Sequence, residues 1–233
     1  MLIAGLAKNS CVDYPGKLAC VVFCPGCNMD CFYCHNRDII GPPEQAPQRL
    51  STAEVMAFLE KRKNQLEAVV VSGGEPTLQK DLFPFLEQVK SMGYLVKLDS
   101  NGRSPQQIQE IYVRGLVDYF AIDYKAPLAR YTEICGPGAD GAAALKTIRL
   151  LKMARAPFEV RTTVIPQLAE ADLLQMANEL PPLPRYVLNP YRVPPHYKEA
   201  DRERILAKPY TKAEIAAMAE KMREWQPNMV ATQ

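Results

Sequence analysis

The chain has 233 residues, 48% hydrophobic and 23% charged, which suits one ordinary soluble α/β domain with a sizeable core of its own. Its 28 basic and 26 acidic residues leave a formal charge of +2, so electrostatics give no reason to expect a nucleic-acid or membrane-surface partner. Only His35 and His196 are available as histidines, which disfavours zinc hydrolases and histidine-based triads.

In chain order, Met1 to Lys8 lacks the basic start and the apolar run of a secretory signal. No segment approaches the roughly 18 apolar residues that span a bilayer, and a cytoplasmic location is expected. Strand-like runs fall at Leu18–Phe23, Ala68–Val71, Leu95–Leu98, Tyr119–Ile122, Phe158–Ile165 and Tyr186–Leu188. Helical spacing of apolar residues falls between them, at Thr52–Arg62, Leu82–Met92, Gln106–Arg114, Ala142–Ala154 and Leu168–Leu180. Ser51 with Glu54, and Thr211 with Glu214, have capping-box spacing, and Ser104 precedes a first-turn Pro105. Repetition of strand and helix predicts right-handed crossovers and a sheet whose strands all run parallel. About six such units are too few for a closed eight-stranded barrel of about 250 residues. Pro181–Pro195 reads as an extended loop, Thr211–Trp225 as a closing amphipathic helix, and the whole of 1–233 as one domain.

Seven cysteines are present, and four of them lie between residues 24 and 34. Secreted disulfide frameworks spread an even number along the chain, so crowding of this kind points to metal or cluster ligation. Cys27, Cys31 and Cys34 are spaced C-x3-C-x2-C directly after the first predicted strand, at the strand end where α/β folds place their sites. Three thiolates on a cubane cluster satisfy three irons and leave the fourth open for catalysis. Two rival readings use Cys24 as a fourth ligand, a structural zinc site and an electron-transfer cluster. Zinc modules usually separate their cysteine pairs by about a dozen residues, against three between Cys27 and Cys31. Cys24 is therefore read as a small packed residue, and Cys11, Cys20 and Cys135 as buried apolar ones.

The second predicted strand runs into Ser72-Gly73-Gly74-Glu75-Pro76, where two glycines let a backbone approach a ligand closely. The third ends in Asp99-Ser100-Asn101-Gly102 and the fourth in Asp123-Tyr124-Lys125. Asp and Asn are ordinary turn formers there, yet gathered carboxylates also suit a cationic ligand.

The cysteine spacing, with Tyr33 before the last cysteine, and the Gly-Gly-Glu-Pro string resemble the radical S-adenosylmethionine (SAM) superfamily. Adding Val12-Asp13-Tyr14-Pro15-Gly16-Lys17 and Cys34-His35-Asn36, the chain from about residue 8 to 192 resembles the glycyl-radical-enzyme activases, most closely those of anaerobic ribonucleoside-triphosphate reductase and more loosely that of pyruvate formate-lyase. The resemblance implies a partial (β/α)6 open barrel. It implies a [4Fe–4S] cluster on Cys27, Cys31 and Cys34, and bound SAM with a monovalent cation beside it. Tyr33 would contact adenine, and Gly73, Gly74 and Glu75 the methionine amino end. Asp99, Ser100, Asn101, Asp123 and Lys125 would surround SAM and the cation. Arg161 would reach the ribose or carboxylate, and Arg192 stands where the pyruvate formate-lyase activase has a histidine. The implied reaction is reductive cleavage of SAM to a 5′-deoxyadenosyl radical that installs a glycyl radical on a partner enzyme. A flavodoxin or ferredoxin would supply the electron. The alternative within the superfamily is a small-molecule enzyme resembling 7-carboxy-7-deazaguanine synthase, which also has a short chain and a Gly-Gly-Glu-Pro string.

Overall fold

The computed structural model describes residues 1–42, 45–46 and 49–231. It divides into two compact units, the first formed by Met1–Asn28, Asp38–Ser100 and Gln106–Phe120, the second by Met29–Arg37, Asn101–Pro105 and the chain from Ala121 onward.

In the first unit, β1 (Gly5–Tyr14), β2 (Lys17–Cys24), β3 (Ala68–Gly73) and β4 (Leu95–Ser100) lie side by side in chain order. Strands β2, β3 and β4 are parallel, as expected, and their apolar runs match the prediction to within two residues at either end. Ala68, Val69, Val70 and Val71 are all fully buried, the pattern of a strand covered on both faces. Helix α1 (Thr52–Lys61) starts at a complete Ser51/Glu54 capping box, and α2 (Leu82–Ser91) buries Leu82, Phe85, Leu86 and Val89. Helix α3 (Pro105–Val113) begins at the predicted proline.

Strand β1 corrects the all-parallel expectation. It runs antiparallel to β2 through a two-residue turn at Pro15-Gly16, with Gly16 at φ +69°. Proline followed by a left-handed glycine is the chemistry of a type II turn. Mixed residues such as Lys8, Asn9 and Ser10 hide the strand's period, and its register slips on both sides of Ser10. The Ser10 hydroxyl takes the backbone N–H of Val12 and Asp13 there. Cys11 on this strand is exposed, against the expectation of burial, whereas Cys20, Cys24 and Cys135 are buried.

Strand β5 (Tyr119–Asp123) begins in the first unit and ends in the second. The second unit contains the short helix α4 (Tyr131–Cys135), then α5 (Gly141–Met153), β6 (Phe158–Val164), α6 (Glu170–Glu179), β7 (Tyr186–Pro190), the short helix α7 (Arg202–Ile205), α8 (Lys212–Met222) and β8 (Met229–Ala231). Strands β6, β7 and β8 are parallel in that order. Strand β7 bears out the predicted run Tyr186–Leu188, inside the stretch also read as an extended loop, and the predicted closing helix is followed by a further strand. Among the described residues no helix is long and apolar enough to cross a membrane.

The return to β8 depends on Gln226, which is completely buried. Its amide donates to the carbonyls of Ala177, Leu180 and Pro181, while its oxygen accepts the Leu183 N–H. Carbonyls at the end of a helix have no partner within it, so this side chain terminates α6 and fixes the strand that follows. Gln226→Leu keeps the volume but leaves these groups bare, at about 1–3 kcal/mol for a buried unsatisfied group. Urea unfolding should register a loss of at least about 3 kcal/mol for the variant, summed over the orphaned groups.

Candidate active site

In the first unit, the β2–β3 ladder continues past the strands into the loops. Cys24 pairs with Gly73, after which Gly74 N–H donates to the Cys24 carbonyl at 2.8 Å and Glu75 N–H to the Gly26 carbonyl at 2.8 Å. The start of the cysteine loop and the Gly-Gly turn are thus in backbone contact. From the other side, Gly26 N–H and Cys27 N–H donate to the carbonyls of Ile39 and Ile40. The two glycines are required by space. A Cβ on Gly73, at φ +122°, would stand 2.3 Å from the backbone N and O of Cys24, and one on Gly74 would stand 2.0 Å from the Gly26 oxygen.

Beneath the turn lies a buried polar frame. Glu75 has no exposed surface, and its Oε1 accepts from Thr77 N (3.0 Å), Thr77 Oγ1 (2.7 Å) and Ser100 Oγ (2.9 Å). Its carboxylate therefore caps the 3₁₀ turn Pro76–Leu78 and joins the end of β4 to that of β3. Gln79 donates to the Pro25 carbonyl. Asp99 Oδ1 meets the Lys97 ammonium at 2.5 Å, and Oδ2 accepts from Ser72 at 3.2 Å. Thr77, Gln79, Ser72 and Lys97 were absent from the sequence-based site. The readable signals were Thr77, two residues after an acid and directly after a proline, and a lysine inside an otherwise apolar strand.

The second unit holds the other residues singled out from the sequence. Cys31, Phe32 and Tyr33 are buried, with Cys34 partly so, and the rings of Phe32 and Tyr33 meet edge to face at 5.3 Å. Arg37 reaches back to the Cys31 carbonyl and pairs with Asp30, which Lys198 also holds. The Cys135 thiol, on α4, is hydrogen-bonded to Cys31. That bond, against the opposing effect of burial, lowers the Cys31 thiol from its ordinary value. Burial pushes the Cys34 thiol up.

Asp123, at the end of β5, takes Lys125 Nζ at 2.9 Å on one oxygen and Arg161 Nη2 at 3.0 Å on the other. Burial alone would raise its carboxyl, but the two cations outweigh that and hold it at about 2. Asn101 is buried and accepts the Arg103 N–H in a tight local turn. Arg192 is exposed, and its carbonyl accepts from the His35 ring at 3.0 Å. Sequence residues Cys27, Gly73, Gly74, Glu75, Asp99 and Ser100 thus fall in the first unit. Tyr33, Cys31, Cys34, Asn101, Asp123, Lys125, Arg161 and Arg192 fall in the second.

Among the described residues no three His, Cys, Asp or Glu side chains are already drawn into a metal-ligating group. The donor chemistry nevertheless fits an iron–sulfur cluster, because the loop offers three cysteine sulfurs within eight residues. The Gly73-Gly74 turn is explained by the chain's own packing, since a Cβ on either glycine would meet the backbone of Cys24 or Gly26.

Comparison with known proteins defines the class. The model of the radical SAM superfamily matches residues 21–180, and the chain belongs to that superfamily, whose enzymes use a [4Fe–4S] cluster and SAM. Among relatives, it is 32% identical over 226 residues to a Methanocaldococcus jannaschii protein provisionally named a glycyl-radical enzyme activating enzyme, covering 94% of this chain and 92% of that one. It is 31% identical over 126 residues to 7-carboxy-7-deazaguanine synthase of Thermococcus kodakarensis, covering 46% of this chain and 49% of that one. Among solved structures, Streptococcus suis SuiB bound to S-adenosylmethionine superposes with a TM-score of 0.70 at 12% identity, over 91% of this chain. This chain spans about half (52%) of SuiB's length, and the likeness establishes the α/β fold of radical SAM enzymes.

Gly74→Ala should cost about 3 kcal/mol or more, because its clash is with backbone and cannot be relieved by a rotamer. Differential scanning calorimetry should show the lowered transition. For Asp123 the sign follows from its depressed carboxyl. The stability it contributes is complete above the ordinary carboxyl value of about 4 and drains away as pH falls through about 2. Urea titrations from pH 5 down to pH 2 should show the parent's advantage over Asp123→Asn shrinking with acid.

Proposed function

We propose that this chain is an activase that places a glycyl radical on a partner enzyme, with anaerobic ribonucleoside-triphosphate reductase as the partner. The single observation that carries the reading is the 32% identity to a glycyl-radical activating relative along nearly the whole of both chains. The motif residues support it, since the Asp13-Tyr14-Pro15-Gly16-Lys17 entry forms the β1–β2 turn and the Gly-Gly-Glu-Pro string closes against the cysteine loop.

Cys27, Cys31 and Cys34 are assigned as cluster ligands, and Cys24, fully buried with its thiol pushed up by desolvation, as packing. Cys27, Cys31 and Cys34 would hold a cluster that supplies the single electron needed to cleave SAM to methionine and the 5′-deoxyadenosyl fragment that would abstract a glycine hydrogen. The chain's own work is positioning. Gly73 and Gly74 offer backbone to the methionine amino end, and Glu75 holds that turn from below through Thr77 and Ser100. Asp99 supplies a carboxylate for the ammonium. Arg161 and Lys125, anchored on Asp123, stand ready for the carboxylate or ribose, and buried Tyr33 for the adenine. Burial of these groups keeps water from a reactive fragment.

A second reading, modification of a small molecule, is favoured by the similarity to 7-carboxy-7-deazaguanine synthase, but that similarity covers less than half of this chain. Anaerobically reconstituted protein, given SAM, reductant and the reductase, should develop the doublet glycyl signal in electron paramagnetic resonance. Absence of that signal, with SAM still cleaved, would move the assignment to the small-molecule reading. Alanine at Cys27, Cys31 or Cys34 should abolish SAM cleavage and bound iron, whereas Cys24→Ala should keep both.

A further inference from the structure

Lys97 is 1% exposed in the middle of β4, opposite Val70 of β3. Lysine is almost never fully buried unless it is paired, and here its ammonium lies 2.5 Å from Asp99 Oδ1. Side chains alternate along a strand, so positions 97 and 99 share one face, and the flexible lysine stem reaches one pair of residues along it. Ser72, at the end of β3, bonds the other carboxylate oxygen. The side chain of Asp99 is 11% exposed, against 1% for Lys97, so the carboxylate is the outer member of the pair. Stability does not explain such a pair, because replacing a buried ion pair by apolar side chains of similar volume is often neutral or stabilising. What a buried cation does accomplish is to keep a nearly buried carboxylate ionised and aimed.

Resting on the SAM-binding reading above, we propose that Lys97 is a positioning residue for SAM. Through its ion pair it presents Asp99, ionised and fixed between Lys97 and Ser72, to the α-ammonium of the ligand at the Gly73-Gly74 turn. Lys97 itself does not touch the ligand. Its removal lets the Asp99 carboxyl take up a proton or rotate away, and an ammonium then loses its charged partner.

The test compares cluster-reconstituted parent, Lys97→Met, Lys97→Arg and Asp99→Asn for iron content, melting temperature and equilibrium binding of two ligands, SAM and its analogue with hydrogen in place of the amino group. Lys97→Met should weaken SAM about tenfold or more, as Asp99→Asn does, while affinity for the deaminated analogue changes less than about twofold. In SAM cleavage the loss should fall mainly on KM, and Lys97→Arg should restore part of the affinity. Three results would overturn the proposal. Lys97→Met could bind SAM as well as or better than the parent while Asp99→Asn binds it poorly. Lys97→Met could lose both ligands equally, which marks a merely structural role. Asp99→Asn could leave SAM affinity unchanged, which removes the carboxylate from the site altogether. If Lys97→Met does not fold, Lys97→Arg decides, since a shifted guanidinium should weaken SAM selectively over the analogue. The glycyl-radical signal is scored separately, so failure of the activase reading leaves a different signature.

Discussion

The close approach of two backbones, Gly73-Gly74 against Cys24 to Gly26, is the constraint on which the polar arrangement of the first unit depends. A parallel ladder normally ends where its strands end. Here it runs on for two more bonds, Gly74 to Cys24 and Glu75 to Gly26, so a loop inherits the precision of a sheet. Loops that carry function need rigid support, and this one has it on both sides, from the turn and from Ile39 and Ile40. Only glycine allows that approach, because distances of 2.0 and 2.3 Å from a Cβ to backbone atoms leave no room for any other residue. Cys27 follows directly and is positioned by the same bonds.

Beneath that contact the polar groups are arranged in an unusual order. Glu75, Asp99 and Lys97 are all nearly or wholly buried, yet each is satisfied within the ends of β3 and β4. Partly satisfied buried networks are costly, whereas complete ones rigidify. A carboxylate of this kind does two jobs by position. Glu75 faces inward and shapes the turn, whereas Asp99 sits at the edge with its cation behind it. Sequence alone treats both as acids at strand ends and assigns both to the ligand.

Legibility followed the strength of the local signal. Apolar β-branched runs such as Ala68–Val71 could be read because a strand buried on both faces has no polar alternation to confuse it. Capping boxes at Ser51 and Thr211 were readable because the two residues satisfy each other without outside help. Strand β1 was not, since an antiparallel strand with shifted register and exposed Cys11 and Val12 lacks either period. Strand β8 is three residues long, and what places it is a buried glutamine 45 to 49 residues from the carbonyls it serves. The cysteine ligands were legible from spacing, but their supports were not. Arg37 and Cys135 act on Cys31 through contacts that no local motif records.

Two of the acidic groups at the strand ends, Asp99 and Asp123, carry their own counter-ions. Asp99 is paired with Lys97, and Asp123 with Lys125 and Arg161, so neither carboxylate needs a ligand in order to be ionised. A site whose charges depended on the ligand would have to reorganise as it bound, and that reorganisation would be subtracted from affinity. With internal counter-ions, the carboxylates keep both charge and direction beforehand. The cost is that each internal cation weakens the attraction for a cationic ligand at longer range. Short-range geometry must therefore supply the selectivity, and in the first unit that geometry is fixed by the glycine turn packed against Cys24 and Gly26.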